Sequence, residues 1–296
     1  MQALRLANIV YANEPMIAID HGGELLSVRA LEERLDADWS LSQFTDQANV
    51  FRHRVFSLGM AGLNEIAGFL GDCLGPRAAV LNRARCLFLP PTVECSALAE
   101  FSIQGENEAP QFRWGNSRCL LGHESILPIP CDEPSPEITV QIGTIIMEDL
   151  HYASVEESAQ CIAGLAPLSL WTFPSRDRVL PGWGSFRLGQ LGPCLVQTNS
   201  TDPKQLAAAI RVNGRTVART LSRPQRMPIA EMVARASEAA RLAPGDIIAS
   251  GPLVRASGKG GQFLADGDRI EAEVGDLGTL AGMVVRSLGR SRYMEV

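Results

Sequence analysis

Ser135-Pro136-Glu137-Ile138-Thr139-Val140-Gln141-Ile142-Gly143 alternates polar and apolar residues with period two, and β-branched residues recur through it. A strand places successive side chains on opposite faces, so this pattern reads as a strand with one dry and one wet face. Ile138, Val140 and Ile142 belong to a core. Ser135, Glu137, Thr139 and Gln141 face either solvent or the wall of a site, and the pattern alone leaves both open.

On the N-terminal side, residues 2–10 and Met16–Asp20 read as strands, with His21-Gly22-Gly23 turning into a third strand over Glu24–Val28. Ala30–Leu35 begins a helix, and Phe51–Asp72 holds a longer amphipathic one, ended by Cys73-Leu74-Gly75-Pro76. These elements form a small α/β unit over residues 1–80. Glu94–Glu108, with four glutamates, reads as a short helix and flap or as a solvated loop. On the C-terminal side, Val155–Ile162 is helical and Ala163–Trp171 is a buried strand. Asn213-Gly214 marks a two-residue hairpin turn. Ile229–Ala240 is a helix, and strands follow at Ile247–Ser250, Arg269–Val274 and Leu277–Val285. Residues 86–296 therefore read as mostly antiparallel β with two helices, and the whole chain as α+β.

A chain of 296 residues, 46% hydrophobic and 20% charged, carries one or two domains with a sizeable core. Its net charge of −6 and the lack of a basic cluster with interleaved aromatics argue against nucleic-acid binding. No apolar run is long enough to span a bilayer, and no signal peptide is visible. Seven scattered cysteines without a CxxC argue against a zinc ribbon or a disulfide framework and for a reducing cytoplasm. Only Lys204 and Lys259 are lysines, which limits amine chemistry.

The ordered set Phe112-Arg113, Gly122-His123, Ile126–Pro130, Pro136–Gly143, Ser175-Arg176-Asp177, Leu191-Gly192-Pro193, Val212-Asn213-Gly214 and Phe263–Asp268 resembles the fumarylacetoacetate hydrolase family over residues 86–296. The resemblance implies a mixed β-roll or barrel domain behind the small N-terminal unit, assembled as a homodimer. It also implies magnesium or manganese held by a Glu-x-Glu pair and two aspartates, with the metal polarising a β-dicarbonyl or 2-oxo acid.

The departures from that pattern are chemical. The Glu-x-Glu position reads Ser135-Pro136-Glu137, and the first aspartate position falls on Leu170 or Thr172. The stretch before Leu191-Gly192-Pro193, where relatives carry a lysine and an aspartate, reads Pro181–Phe186 and has neither. One carboxylate, a hydroxyl and apolar groups do not balance a dication stripped of water, so no metal or other cofactor is expected, with magnesium or manganese implied only if these positions are misread. Burial without a metal favours the protonated form of Glu137 and makes it a general acid or base near neutrality; the alternative is an inert pair with Arg113 or Arg176.

Glu137 and His123 are thus the candidate catalytic residues. Arg113, Ser135, Thr139, Arg176, Trp183, Phe186 and Gln190 are candidate substrate-binding residues. Trp171, Trp183 and Phe186 suggest a ligand more apolar than a small keto acid, as in biosynthesis. Three functions compete: a metal-independent isomerase, dehydratase, cyclase or decarboxylase acting on an enolisable carbonyl or carboxylate; a non-catalytic binding homologue; and an ordinary metal-dependent C–C hydrolase.

Overall fold

The opening stretch folds as the strand Glu137–Ile146, the spine of the larger of two sheets. The structure is a computed structural model describing residues 3–35, 55–72, 80–92, 95, 97–102, 111–133, 136–174, 185, 187–197, 206–221, 227–258 and 263–287. One edge of this central strand pairs antiparallel, along its whole length, with Ile162–Thr172. Its other edge is shared by two short strands. Ile247–Ala249 lies beside Gly143–Ile145, and Val254–Ala256 beside Ile138–Val140. Between them the chain steps outward, held by backbone bonds from Ser250 to Ile142 and from Leu253 to Val140.

Ile138, Val140 and Ile142 are fully buried. They belong to one apolar cluster with Ile210, Ala272 and Leu280 of a second, five-stranded sheet and Met232, Val233 and Ala236 of the helix Ile229–Ala239. Each such aliphatic side chain contributes about 2 kcal/mol when taken out of water. In the second sheet, Asn213-Gly214 makes the expected tight turn, with φ of 50° and 75°. The Asn213 side chain binds Asp268 and the Arg269 amide, tying the turn to the neighbouring strand.

Near the N-terminus, Arg5–Tyr11, Glu14–His21 and Glu24–Ser27 form a meander followed by the helix Val28–Leu35. Arg5 and Leu6 pair with Val196 and Leu195, so these strands continue the larger sheet. The helix expected from Phe51 runs over Gly59–Asp72; residues 51–54 lie outside the described set. The fold is α+β as expected. Its sheets are mostly antiparallel, with parallel pairs closing Leu188–Leu191 on Leu120–Leu121, Ile247–Ala249 on Leu98–Ser102, and Gly278–Ser287 on Ser125–Pro130.

Two local expectations are corrected. The helix expected to reach Ile162 ends at Gln160, because Ile162 already begins the partner strand of the spine. Ser154 and Glu157 cap its other end reciprocally. The stretch read as a helix and flap or a loop contains a buried strand, Leu98–Ser102. Among the described residues no helix is long and apolar enough to cross a membrane.

Candidate functional site

The wet face of the central strand does not look at open solvent. Thr139 is 6% exposed and Gln141 0%, and they meet a third polar residue, Glu100, itself 6% exposed. Sheet register explains the meeting. Glu100 pairs with Ala249, and Ala249 pairs with Gly143 of the spine, so only the small side chain of Ala249 separates Glu100 from the spine, which at Gly143 carries no side chain. With no bulk between them, the Gln141 amide reaches across. Its Nε2 donates to Glu100 Oε1 and, at 3.1 Å, to Thr139 Oγ1, while the Thr139 hydroxyl donates to the Leu170 carbonyl at 3.1 Å.

Glu100 is directly opposite Arg113 on the adjacent strand Gln111–Gly115. Arg113 donates to Glu100 Oε2 through Nε at 2.8 Å and approaches it through Nη2 at 2.7 Å; its Nη1 donates to Ser185 at 3.2 Å. A buried carboxylate is tolerated when donors surround it, and here a guanidinium and an amide supply them.

A second ion pair lies along the same face. Arg255 is opposite Thr139, which puts it on the wet face, while its neighbours Val254 and Ala256 point into the core. Its Nη1 lies 3.1 Å from Glu137 Oε1. The two pairs border a cleft of about 280 Å³, whose wall is completed in part by Leu170.

Arg113, Glu137 and Thr139 of the sequence-derived candidates therefore share one cleft. His123 and Gln190 are held elsewhere. The His123 Nδ1 accepts from the Ala281 amide at 3.0 Å and its ring packs edge-on against Phe88. Burial pushes its imidazole down to about 4; Glu124 opposes that shift, and Arg83 and Arg269 add to it. Gln190 is buried and donates to the carbonyls of Gly122 and Ala281. Ser135, Arg176, Trp183 and Phe186 lie outside the described residues.

Two premises change. Glu137 is not dry: its side chain is 33% exposed, and its partner among the described residues is Arg255, not Arg113. Eight of the twelve residues lining the cleft are polar or charged, so its described part does not favour an apolar ligand. Trp171, one of the aromatics behind that expectation, is fully buried and is one of the four non-polar residues in the cleft wall.

Sequence reasoning missed Glu100 and Arg255, which line the cleft, and Gln141, which is buried behind Glu100. Glu100 had a signal: a lone carboxylate within Leu98-Ala99-Glu100-Phe101, a setting in which a charge needs a partner. Gln141 stood on the recognised polar face.

A divalent cation asks for several uncommitted oxygen ligands carrying negative charge. Among the described residues the cleft offers two carboxylates, each spent on a guanidinium, and the Thr139 hydroxyl, which donates to the Leu170 carbonyl. Its formal charge, two glutamates against two arginines, is zero. This donor set does not fit a tightly held magnesium or manganese ion.

Comparison with known proteins adds relatives. A family model described as fumarylacetoacetate (FAA) hydrolase C-terminal matches residues 92–285. An uncharacterized protein of Archaeoglobus fulgidus is 24% identical over 212 residues, covering 67% of this chain and 82% of that protein. A mitochondrial oxaloacetate tautomerase of Rattus norvegicus is 34% identical over 179 residues, or 57% of this chain and 56% of that one. Among solved structures, maleylpyruvate hydrolase from Sphingobium sp. SYK-6, in complex with manganese (II) ion and pyruvate, superimposes with a TM-score of 0.73. It is 21% identical, over 96% of this chain and 99% of that chain. A 2-hydroxyhepta-2,4-diene-1,7-dioate isomerase from Mycobacterium marinum gives 0.70 at 16% identity, over 97% and 100%. At such identities the superpositions establish a common fold and no more.

Proposed function

We propose, for a chain that belongs to the fumarylacetoacetate hydrolase family, that this cleft binds an enolisable 2-oxo or β-dicarbonyl acid and moves a proton on it without a metal. The observation that carries the reading is the pairing of Glu137 with Arg255 at a small polar cleft. A carboxylate that keeps acceptor capacity stands beside a cation able to stabilise negative charge on oxygen.

Glu137 removes the proton from the carbon next to the carbonyl. The C–H electron pair becomes the new C=C bond and the carbonyl π pair moves to oxygen. Return of that proton to the oxygen gives the enol; return to a carbon further along a conjugated substrate gives the double-bond isomer. No atom or electron is gained or lost, so the reaction class is tautomerisation or isomerisation. Glu100 serves differently: it holds Arg113 in the cleft wall and is itself held by the amide of the buried Gln141. The named activities of relatives, oxaloacetate tautomerases and a heptadienedioate isomerase, agree with this chemistry.

A second reading is a binding protein without catalysis. It draws on the pairing of both described cleft glutamates with arginine.

The test follows keto–enol interconversion of oxaloacetate by ultraviolet absorbance, above the spontaneous rate, with EDTA present. Wild type is expected to accelerate it, and Glu137→Gln to lose about 100-fold or more while retaining its circular dichroism. Activity that appears only after magnesium or manganese is added would sink the metal-free reading. Full activity in Glu137→Gln would remove that residue's role. Saturable binding of 2-oxo acids with no turnover in wild type would favour the second reading.

A further inference from the structure

The geometry points to Arg255 as the anchor for the substrate's carboxylate, with Glu137 as its resident counter-ion that an incoming anion displaces. The inference rests on the 2-oxo acid reading above and names which cation in the cleft meets the acid group. Two arginines border the cleft, and they differ in how far they are committed. Arg113 places Nε and Nη2 on Glu100 and Nη1 on Ser185. Arg255 makes one ion pair among the described residues, through Nη1, and its side chain is 58% exposed. A guanidinium recognises a carboxylate through two parallel N–H donors, and of these two described arginines it is Arg255 that retains such a fork for a ligand.

Its placement is built rather than accidental. Val254–Ala256 is three residues long, and its first and last side chains are both buried at 8%. Arg255 is the one residue of that strand on the cleft face, directly across from Thr139. An anion that takes the guanidinium competes with Glu137 for it. Binding then has a second consequence: the carboxylate that must accept a proton loses the cation that held it, at the moment a substrate arrives.

Oxalate, a planar dianion shaped like the enolate of a 2-oxo acid, is the probe, titrated calorimetrically into EDTA-treated protein. Wild type is expected to bind it. Arg255→Met should weaken binding at least tenfold and Arg255→Lys less, because lysine keeps the charge and loses the fork. Glu137→Gln should tighten binding severalfold even as it loses turnover, a sign that loss of fold or of general packing does not produce. Melting temperatures of all variants confirm that they are folded. Unchanged affinity in Arg255→Met overturns the anchor, and weaker binding in Glu137→Gln overturns the displacement. If the anchor fails while Glu137→Gln still abolishes tautomerisation, the proton-transfer reading survives. If oxalate binds as stated and no 2-oxo acid turns over, the anchor stands and catalysis falls.

Discussion

His123 separates what a residue type offers from what its surroundings permit. A histidine beside a glycine at a strand end invites a catalytic reading, but its Nδ1 already accepts the Ala281 amide and its side chain is 11% exposed. Burial leaves it neutral down to about pH 4, against about 6.5 in the unfolded chain. Between those values the unfolded state binds more protons than the folded one, so stability falls as pH drops from 6.5 towards 4 and is fully present above 6.5. The loss reaches up to about 3 kcal/mol for this residue. Urea titrations at pH 7, 6, 5 and 4.5 should show that limb in wild type and a flatter one in His123→Gln, whose side-chain oxygen can accept the same amide. Identical slopes in the two proteins would count against it.

At the scale of the element, legibility followed the range of the interactions. The alternation over residues 137–143 was readable because period two is local, and so was the Asn213-Gly214 turn. Glu137 and Thr139, which line the cleft, stand in that same run, and Arg113, which joins them there, stands in a piece of the family resemblance. The strand Leu98–Ser102 was missed: one edge pairs antiparallel with the nearby Gln111–Gly115, but the other pairs in parallel with Ile247–Ala249, about half the chain away, and that partner leaves no local pattern. Arg255 was hidden because a three-residue strand has too little pattern to announce which side it faces. The contact between these pieces is tight at Gly251. Its φ is +80°, and an added Cβ would lie 2.3 Å from the carbonyl oxygen of Phe101, next to Glu100. Gly251→Ala therefore incurs both left-handed strain and a backbone clash, and a loss of at least about 2 kcal/mol is expected in chemical denaturation. Gly214→Ala, with open space around its Cβ, should cost about 1 kcal/mol, from conformation alone.

Across the whole molecule, the spine divides two environments. Its even-numbered residues close the core between the sheets. Its odd-numbered residues run from the charged cleft at Glu137 to Ile145, which packs into the apolar cluster under the N-terminal strands. The ladder of backbone pairings runs beneath the cleft, and the polar side chains that line it project from that ladder.

The edge of the spine that is shared by two short strands has a dynamic consequence. Val254–Ala256 is fastened along three residues and is separated from Ile247–Ala249 by an outward step, so the lip of the cleft can detach while the sheet behind it stays zipped. Amide deuterium exchange should resolve this. Peptides covering Val254–Ala256 should take up label by sub-global opening, whereas those covering Gly143–Ile145 should label only when the whole chain unfolds. A saturating anion at the lip should slow the first group and leave the second as it was.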